Sequence, residues 1–351
     1  MLDLQNVSKK LDGFSIKNIS FKVEEGDYYI ILGHSGAGKT VILEIIAGLI
    51  TPDSGKVFYY EDDITFRKIQ KRKFGLVFQD HAIFPHLSVK ENIAYPLKNK
   101  KLSKSIINKK VNELADNFEI SHLLNRRTTN LSGGELQRIA LARTLALEPD
   151  ILLLDEPLSS LDIQLKNDLR RLLRSLNKKG QTIIHVTHDY EEAILLSNKI
   201  AVFHAGKIIQ KGTTNDVFHH PGSEFVANFT GIKNYFRVTL KSIGQNGLKV
   251  AKINDVEIKL LSEEKSNKGF IIIRCEDIIV SDELQKSSAA NNFIGIVTEI
   301  NPMKPGIEII IDIGIMMTAM ITSNSLKRLQ ITEDSKMWIS FKASAVRLLS
   351  D

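Results

Sequence analysis

The sequence predicts an α/β domain built on a parallel sheet over residues 1–230, followed by an all-β domain of small barrels over residues 231–351. Three observations predict it. An apolar strand runs into a glycine-rich loop and then an apolar helix in "YYIILGHSGAGKTVILEIIAGL". A second continuous apolar run, "DILLLDEP", has the pattern of a central parallel strand covered on both faces. Beyond residue 230 helical periods give way to short alternating runs bounded by turn residues.

The first strand, Tyr28 to Leu32, leads into Gly33-His34-Ser35-Gly36-Ala37-Gly38-Lys39-Thr40, the phosphate-loop spacing in its required strand–loop–helix setting. The glycines let backbone N–H groups close on a nucleotide phosphate and the helix start adds its positive dipole end. Lys39 is placed to reach the β and γ oxygens, and the Thr40 hydroxyl to ligate Mg²⁺. The second strand ends in Asp155-Glu156, two carboxylates at the C-terminal edge of the sheet, where ligands bind in such folds. Asp155 is assigned to Mg²⁺ and Glu156 to polarising the attacking water. Between them, "LSGGELQR" places Ser132 and Glu135 as a capping box. Gly133 and Gly134 clear side chains from that helix start, leaving bare N–H groups for an anion from another subunit.

Composition limits the alternatives. Of 351 residues, 43% are hydrophobic and 25% charged, as in ordinary globular proteins. The net charge of +6 is spread over both halves, and the basic runs at 67–73 and 98–105 read as solvated faces. No nucleic-acid surface is required. The single cysteine, Cys275, excludes an internal disulfide and fits a reducing compartment. The start of the chain turns polar within three residues, unlike a secretion signal. The greasiest run, from Ile307, is broken by Asp312 and Gly314, falls short of the roughly 20 apolar residues of a membrane helix, and reads as a two-stranded hairpin.

"LSGGELQR" resembles the signature motif of ABC-type ATPases, and the remaining motifs follow in that family's order over about residues 1–230. "LVFQDHAIFPHLSVKENIAYPL" is similar to the Q-loop segment with Gln79 at its motif position, "SSLD" at 159–162 to the D-loop with Asp162, and "HVTHD" to the switch region with His188. The resemblance implies a helical subdomain at about 85–150 and two copies arranged head to tail. Each ATP would lie between one copy's phosphate loop and Ser132/Gly134 of the other. Gln79 would sense Mg²⁺ and the attacking water while linking the site to a membrane permease docked near Phe84, Pro85 and His86; His188 would contact the γ-phosphate. His185 reads as a strand residue, not as half of a metal-binding pair with His188. Where the family stacks adenine on an aromatic residue this chain has Leu11, so either Leu11 or Phe14 provides the platform.

Pro221, Gly222 and Gly231 mark the connector. In the rear domain, "FIIIRCEDIIV" and "WISFKASAVRL" form a weak internal repeat, Arg274 matching Lys342 and Ile278 matching Val346. The whole resembles the OB-like regulatory (TOBE) domain of binding-protein-dependent importer ATPases. "SAANNFIGIVTEI" and "FKASAVRLL" resemble the molybdate-binding, Mop-type variant, over about 288–350. Ser288, Asn291, Lys342 and Ser344 are the candidate oxyanion donors, with Ala290 where the family pattern has arginine; the same stretch also reads as a plain turn into a strand. The expectation is an ATP-hydrolysing subunit, peripheral on the cytoplasmic face of the membrane. It would energise molybdate or tungstate import through a permease served by an extracytoplasmic oxyanion-binding protein, with those anions as candidate regulators of the rear domain. The alternatives are another solute, such as sulfate, ferric iron, a sugar or a polyamine, or a soluble ABC ATPase acting on nucleic acid or the ribosome.

Overall fold

The computed structural model describes every residue except 99, 101, 160, 243–246, 265, 304–305 and 351, and all side chains but those of Ser242 and Ser350 besides. Ser160 of the D-loop stretch, residues 99 and 101 of the second basic run and Ile243 in the first rear strand run lie outside the described residues. Two compact units divide between His220 and Pro221.

The front unit opens with β1 (Leu2–Leu11), β2 (Phe14–Val23) and β3 (Tyr28–Leu32), then α1 (Lys39–Ala47), β4 (Ser54–Tyr59), β5 (Asp62–Asp63) and β6 (Phe74–Val77). It continues with α2 (Val89–Ala94), α3 (Lys104–Asn117), α4 (Gly133–Leu145), β7 (Ile151–Asp155), α5 (Ile163–Lys178) and β8 (Thr182–Thr187). It closes with α6 (Tyr190–Leu196), β9 (Lys199–His204), β10 (Lys207–Thr213) and α7 (Thr214–His219). The central sheet has the order β10-β9-β3-β8-β7-β6, parallel except for β10, and a separate antiparallel sheet has the order β2-β1-β4-β5. Every residue of β3, β7 and β8 is buried, which accounts for the apolar runs of β3 and β7, whereas β8 also buries Thr182, His185 and Thr187. Because the parallel strands β3, β6, β7 and β8 end on one edge, the segments after them meet there.

The far end of α1 is held by a group the sequence does not flag. Buried Arg72 donates from Nη1 to the carbonyls of Ile45 (2.7 Å) and Ile46 (2.8 Å), from Nη2 to Thr65 (3.0 Å) and from Nε to Arg67 (2.7 Å). The Nη1 bonds cap carbonyls of the helix terminus, and the other two tie it to the 65–67 stretch. Burial pushes the guanidinium down to about 10.

The rear unit begins with α8 (Glu224–Phe229) and carries β11 (Asn234–Ser242), β12 (Leu248–Ile253), β13 (Val256–Leu261), β14 (Lys268–Ile273), β15 (Ile279–Ser281) and β16 (Asn291–Pro302). Then follow β17 (Ile307–Asp312), β18 (Met316–Ile321), α9 (Ser323–Arg328), β19 (Lys336–Phe341) and β20 (Arg347–Ser350). They form two curled, all-antiparallel half-barrels, β13-β12-β11-β14-β20 and β15-β19-β16-β17-β18, which share one apolar core. The run from Ile307 is the hairpin β17–β18, turned at Gly314. The repeated segments have the same local structure. Each leaves one sheet, makes a single 3-10 turn and enters the other sheet, in opposite directions: β14 to β15, and β19 to β20. Arg274 (φ −76°, ψ 142°) and Lys342 (φ −75°, ψ 149°) open the two turns with matching backbone angles, and Ile278 and Val346 close them.

Candidate nucleotide site

The phosphate loop is built by close backbone approach. A Cβ on Gly33 would come within 2.2 Å of the Phe203 carbonyl oxygen of β9, and Gly38, at φ +99°, faces the Phe14 ring, which such a Cβ would meet at 2.6 Å. Glycine is required at both positions. Gly38 caps α1 without a side-chain hydrogen bond and the first turn has no acidic residue, so the helix start is open to an anion. Lys39, only 4% exposed, folds over the loop and donates to the carbonyls of Gly33 (2.8 Å) and His34 (3.0 Å). Burial lowers its ammonium's pKa and the Glu156 carboxylate opposes that shift.

Beside the loop, at the end of β7, the Thr40 hydroxyl donates to Asp155 Oδ1 at 3.2 Å. Burial raises the Asp155 carboxyl above its usual range, against the Thr40 bond. Glu156 sits at φ +44°, a costly region for a residue with a Cβ. It is held there by its own N–H to Val186 O (2.9 Å) and by the Ser159 N–H and hydroxyl, which both donate to its carbonyl (3.2 and 3.0 Å). This turn aims the carboxylate between two partners: Oε1 lies 3.6 Å from Lys39 Nζ and Oε2 lies 3.1 Å from Nδ1 of His188. His188 is 48% exposed, whereas His185 is fully buried with its Nδ1 3.0 Å from the Tyr28 hydroxyl. Among the described residues no group of three or more His, Cys, Asp and Glu could hold a metal ion.

Lys39, Thr40, Asp155, Glu156 and His188 thus converge. Gln79 is exposed two residues past the end of β6, at the same sheet edge. The turn after it, His81 and Ala82 at positive φ, is gripped by Arg143 of α4, whose guanidinium donates to both carbonyls (3.0 and 2.7 Å) and lies over the Phe84 ring at 5.2 Å. Buried Asn92 fixes Phe84 by bonding its N–H and its carbonyl (3.0 and 3.1 Å). Sequence reasoning missed Arg143 and Asn92, and neither carries a local pattern by which it could be found.

Ser132 caps α4 in the reciprocal arrangement its sequence predicts, its hydroxyl accepting the Glu135 N–H and Glu135 accepting the Ser132 N–H (2.7 Å). The two glycines differ. A Cβ on Gly133 would meet nothing nearer than Leu161 Cδ2 at 3.6 Å, but on Gly134 it would meet Leu165 Cδ1 at 2.9 Å. The expectation that both clear the helix start for an incoming anion therefore needs correction: the space at Gly134 is filled by Leu165 of α5. Asp162 caps α5 by accepting the Leu165 N–H (3.0 Å), so the signature and D-loop stretches form a second cluster through Leu161 and Leu165.

Leu11 and Phe14 both line an open groove of about 740 Å³ beside the loop, with Phe14 the ring that reaches Gly38. In the rear unit the pairing of β16 with β19 sets Asn291 opposite Phe341, bringing the stretches that begin at Ser288 and Phe341 side by side. Ser288, Lys342 and Ser344 are exposed there. Asn291 is not: it is 2% exposed, accepts the Lys259 N–H (2.7 Å) and donates to the Lys259 carbonyl (2.9 Å). Its contacts make it a clamp onto β13, which corrects its candidacy as an oxyanion donor.

The ABC transporter family pattern matches residues 16–159, and the TOBE domain pattern residues 287–348. Over 350 residues the chain is 41% identical to the molybdate/tungstate import ATP-binding protein WtpC of Pyrococcus horikoshii, covering 99% of each protein. It is 38% identical over 304 residues to the spermidine/putrescine import ATP-binding protein PotA of Thermotoga maritima, 85% of this chain and 83% of that one. A solved dimeric ATP-binding cassette, in a post-hydrolysis state bound to ADP and Pi, is 32% identical with a TM-score of 0.55, covering 61% of this chain and 99% of that chain.

Proposed function

The chain belongs to the ABC transporter family, and on that premise we propose that it drives import of molybdate or tungstate by hydrolysing ATP at the site around Glu156. It is the ATP-binding, ATP-hydrolysing subunit of an importer, working as a homodimer with a membrane permease; among its described residues no helix is long and apolar enough to cross a membrane. The observation that carries hydrolysis is the placement of the Glu156 carboxylate between Lys39 and His188.

In this reading the open start of α1 and Lys39 bind the phosphates, and Glu156 orients the attacking water and takes its proton. His188 donates to the γ-phosphate as its charge changes. Thr40 and Asp155 supply hard oxygens 3.2 Å apart, a set that fits Mg²⁺ alongside phosphate and water, with Gln79 as a further ligand. Bound there, the ion would screen the phosphate charge. Ser132 and the exposed backbone at Gly133 meet the nucleotide held by the other copy, with Asp162 beside them, and Phe14 with Leu11 receives adenine.

The substrate reading is supported by similarity that runs the full length of the chain, rear domain included. Ser288, Lys342 and Ser344 then offer a weak regulatory contact to the same anion, short of a charged donor at Ala290. The position on the cytoplasmic membrane face and the extracytoplasmic oxyanion-binding protein belong to the same proposal. The test is ATPase stimulation in vesicles carrying the chain, its permease and the binding protein. Tungstate or molybdate should stimulate; stimulation by sulfate or spermidine instead would overturn the substrate while leaving the motor intact.

A further inference from the structure

Behind His188 lies a buried polar chain that the nucleotide site does not use. The Tyr28 hydroxyl of β3 is 3.0 Å from His185 Nδ1, and His185 Nε2 is 3.5 Å from Glu192 Oε2 with no hydrogen-bond partner of its own. Glu192, on the first turn of α6 and 1% exposed, accepts the Thr187 hydroxyl at 2.8 Å. Thr187 Oγ1 in turn accepts the Asp189 N–H at 3.0 Å, and the Thr187 carbonyl accepts the N–H of Gly33, the first residue of the phosphate loop, at 3.2 Å. An apolar side chain at 192 would fill this space without the desolvation cost of a carboxyl. Capping does not explain it either, because Asp189 already caps α6 by accepting the Glu191 and Glu192 N–H groups (2.8 and 3.3 Å).

We propose that Glu192 is a positioning residue for His188: by holding the Thr187 hydroxyl against the Asp189 N–H and closing the chain to His185 and Tyr28, it sets the angle at which His188 leaves β8 to meet Glu156. The inference rests on the reading of His188 as the γ-phosphate contact.

Burial pushes the Glu192 carboxyl up to about 7; the Thr187 bond opposes this, Asp189 adds to it, and Arg170 and Lys166 of α5 pull the other way. Burial, aided by Arg170, pushes His185 down to about 3, and Tyr28 is raised by burial and Glu192 against the pull of Arg174. His185 is therefore neutral at working pH. When Glu192 is ionised it accepts the Thr187 hydroxyl and faces His185 Nε2–H at 3.5 Å as a favourable charge contact, while Tyr28 donates to Nδ1. When Glu192 is protonated, its O–H points at Nε2 and keeps its proton, the neutral imidazole carries its own proton on Nδ1 instead, and the Tyr28 hydroxyl proton loses its acceptor. Turnover should rise as pH passes through the carboxyl's titration.

The experiment is steady-state ATPase of the full-length chain, at protein concentrations that saturate the dimer, from about pH 6 to 8.5. Thr187→Val should lower kcat by about tenfold or more with KM for ATP within about twofold, Thr187→Ser should restore it, and Glu192→Gln should flatten the rise of kcat with pH. A Thr187→Val chain with kcat within about twofold of the parent would overturn the proposal. If that variant does not fold, an undiminished pH rise in Glu192→Gln overturns it instead. His188→Ala is measured alongside: parent-like turnover there sinks the reading of His188, whereas inactivity there with full activity in Thr187→Val sinks only the present inference.

Discussion

The two signature glycines offer a test that separates folding from contact with a second copy. In Gly134→Ala the new Cβ would sit 2.9 Å from Leu165 Cδ1, 3.1 Å from Cδ2 and 3.3 Å from Cγ. Because Cγ is among the crowded atoms, turning the two methyls away is not enough, and Leu165 must change its χ1 rotamer or shift with α5. Overpacking of this kind costs about 1–3 kcal/mol, and replacing glycine within a helix returns about 0.5–1 kcal/mol, for a mid-range net loss of about 1 kcal/mol. For a unit of this size that lowers Tm by about 2–4 °C. Gly133→Ala meets only Leu161 at an ordinary 3.6 Å, so its Tm should stay within about 2 °C of the parent. Its methyl nevertheless stands at the exposed start of α4, and ATPase should fall by about tenfold or more. Calorimetry of the front-unit transition and ATPase at saturating MgATP check both. Full turnover in Gly133→Ala would refute the view that this helix start meets the nucleotide of another copy, and an unchanged Tm in Gly134→Ala would refute the packing against Leu165.

Glu156→Gln should bind ATP as the parent does yet turn over about 100-fold or more slowly, leaving a nucleotide-bound dimer visible by size-exclusion chromatography. Phe14→Ala should weaken ATP binding by about 1 kcal/mol, roughly fivefold in Kd, and Leu11→Trp should strengthen it; titration with a fluorescent ATP analogue reads both. Arg72→Met removes four bonds to carbonyls, two at the end of α1 and two on Thr65 and Arg67, and should cost about 3 kcal/mol in a denaturant melt. Glu192, its pKa raised on folding, binds a proton that the unfolded chain releases, so its contribution to stability is full at acid pH and is lost as pH rises through about 7. His185, depressed on folding, works oppositely, its contribution being lost as pH falls from about 6.5 toward about 3. Melts of Glu192→Gln against the parent between about pH 4.5 and 7 should therefore differ in slope.

What could be read in advance was what a short window of chain encodes. The phosphate loop declares itself because strand, glycines and helix start lie within one stretch, and the apolar runs of β3 and β7 follow from burial on both faces. The Ser132 cap is equally local, with its partner three residues on. Unreadable were the contacts made across the fold. Gly134 has no visible reason until Leu165 arrives from α5, and Arg143 is an ordinary helical arginine until the turn after Gln79 presents two carbonyls. Asn291 looked available as an anion donor because its tie to Lys259 depends on how β16 is laid beside β13. The internal repeat was visible as a matched pair of segments, but its meaning as two opposed crossings between sheets depends on strand pairing.

Those crossings have a consequence for how the rear unit comes into being. β15 belongs by sequence with the first sheet's strands but completes the second sheet on β19, while β20 returns to pair with β14. Neither sheet can be finished alone, so a chain emerging from the ribosome leaves the β14 edge bare until nearly the whole unit has been made. Such delayed, long-range closure predicts slow folding and a dependence on chaperones during synthesis. It also makes a cut in the loop between β15 and β16 reparable only by reassociation, because each fragment would hold a strand that the other lacks.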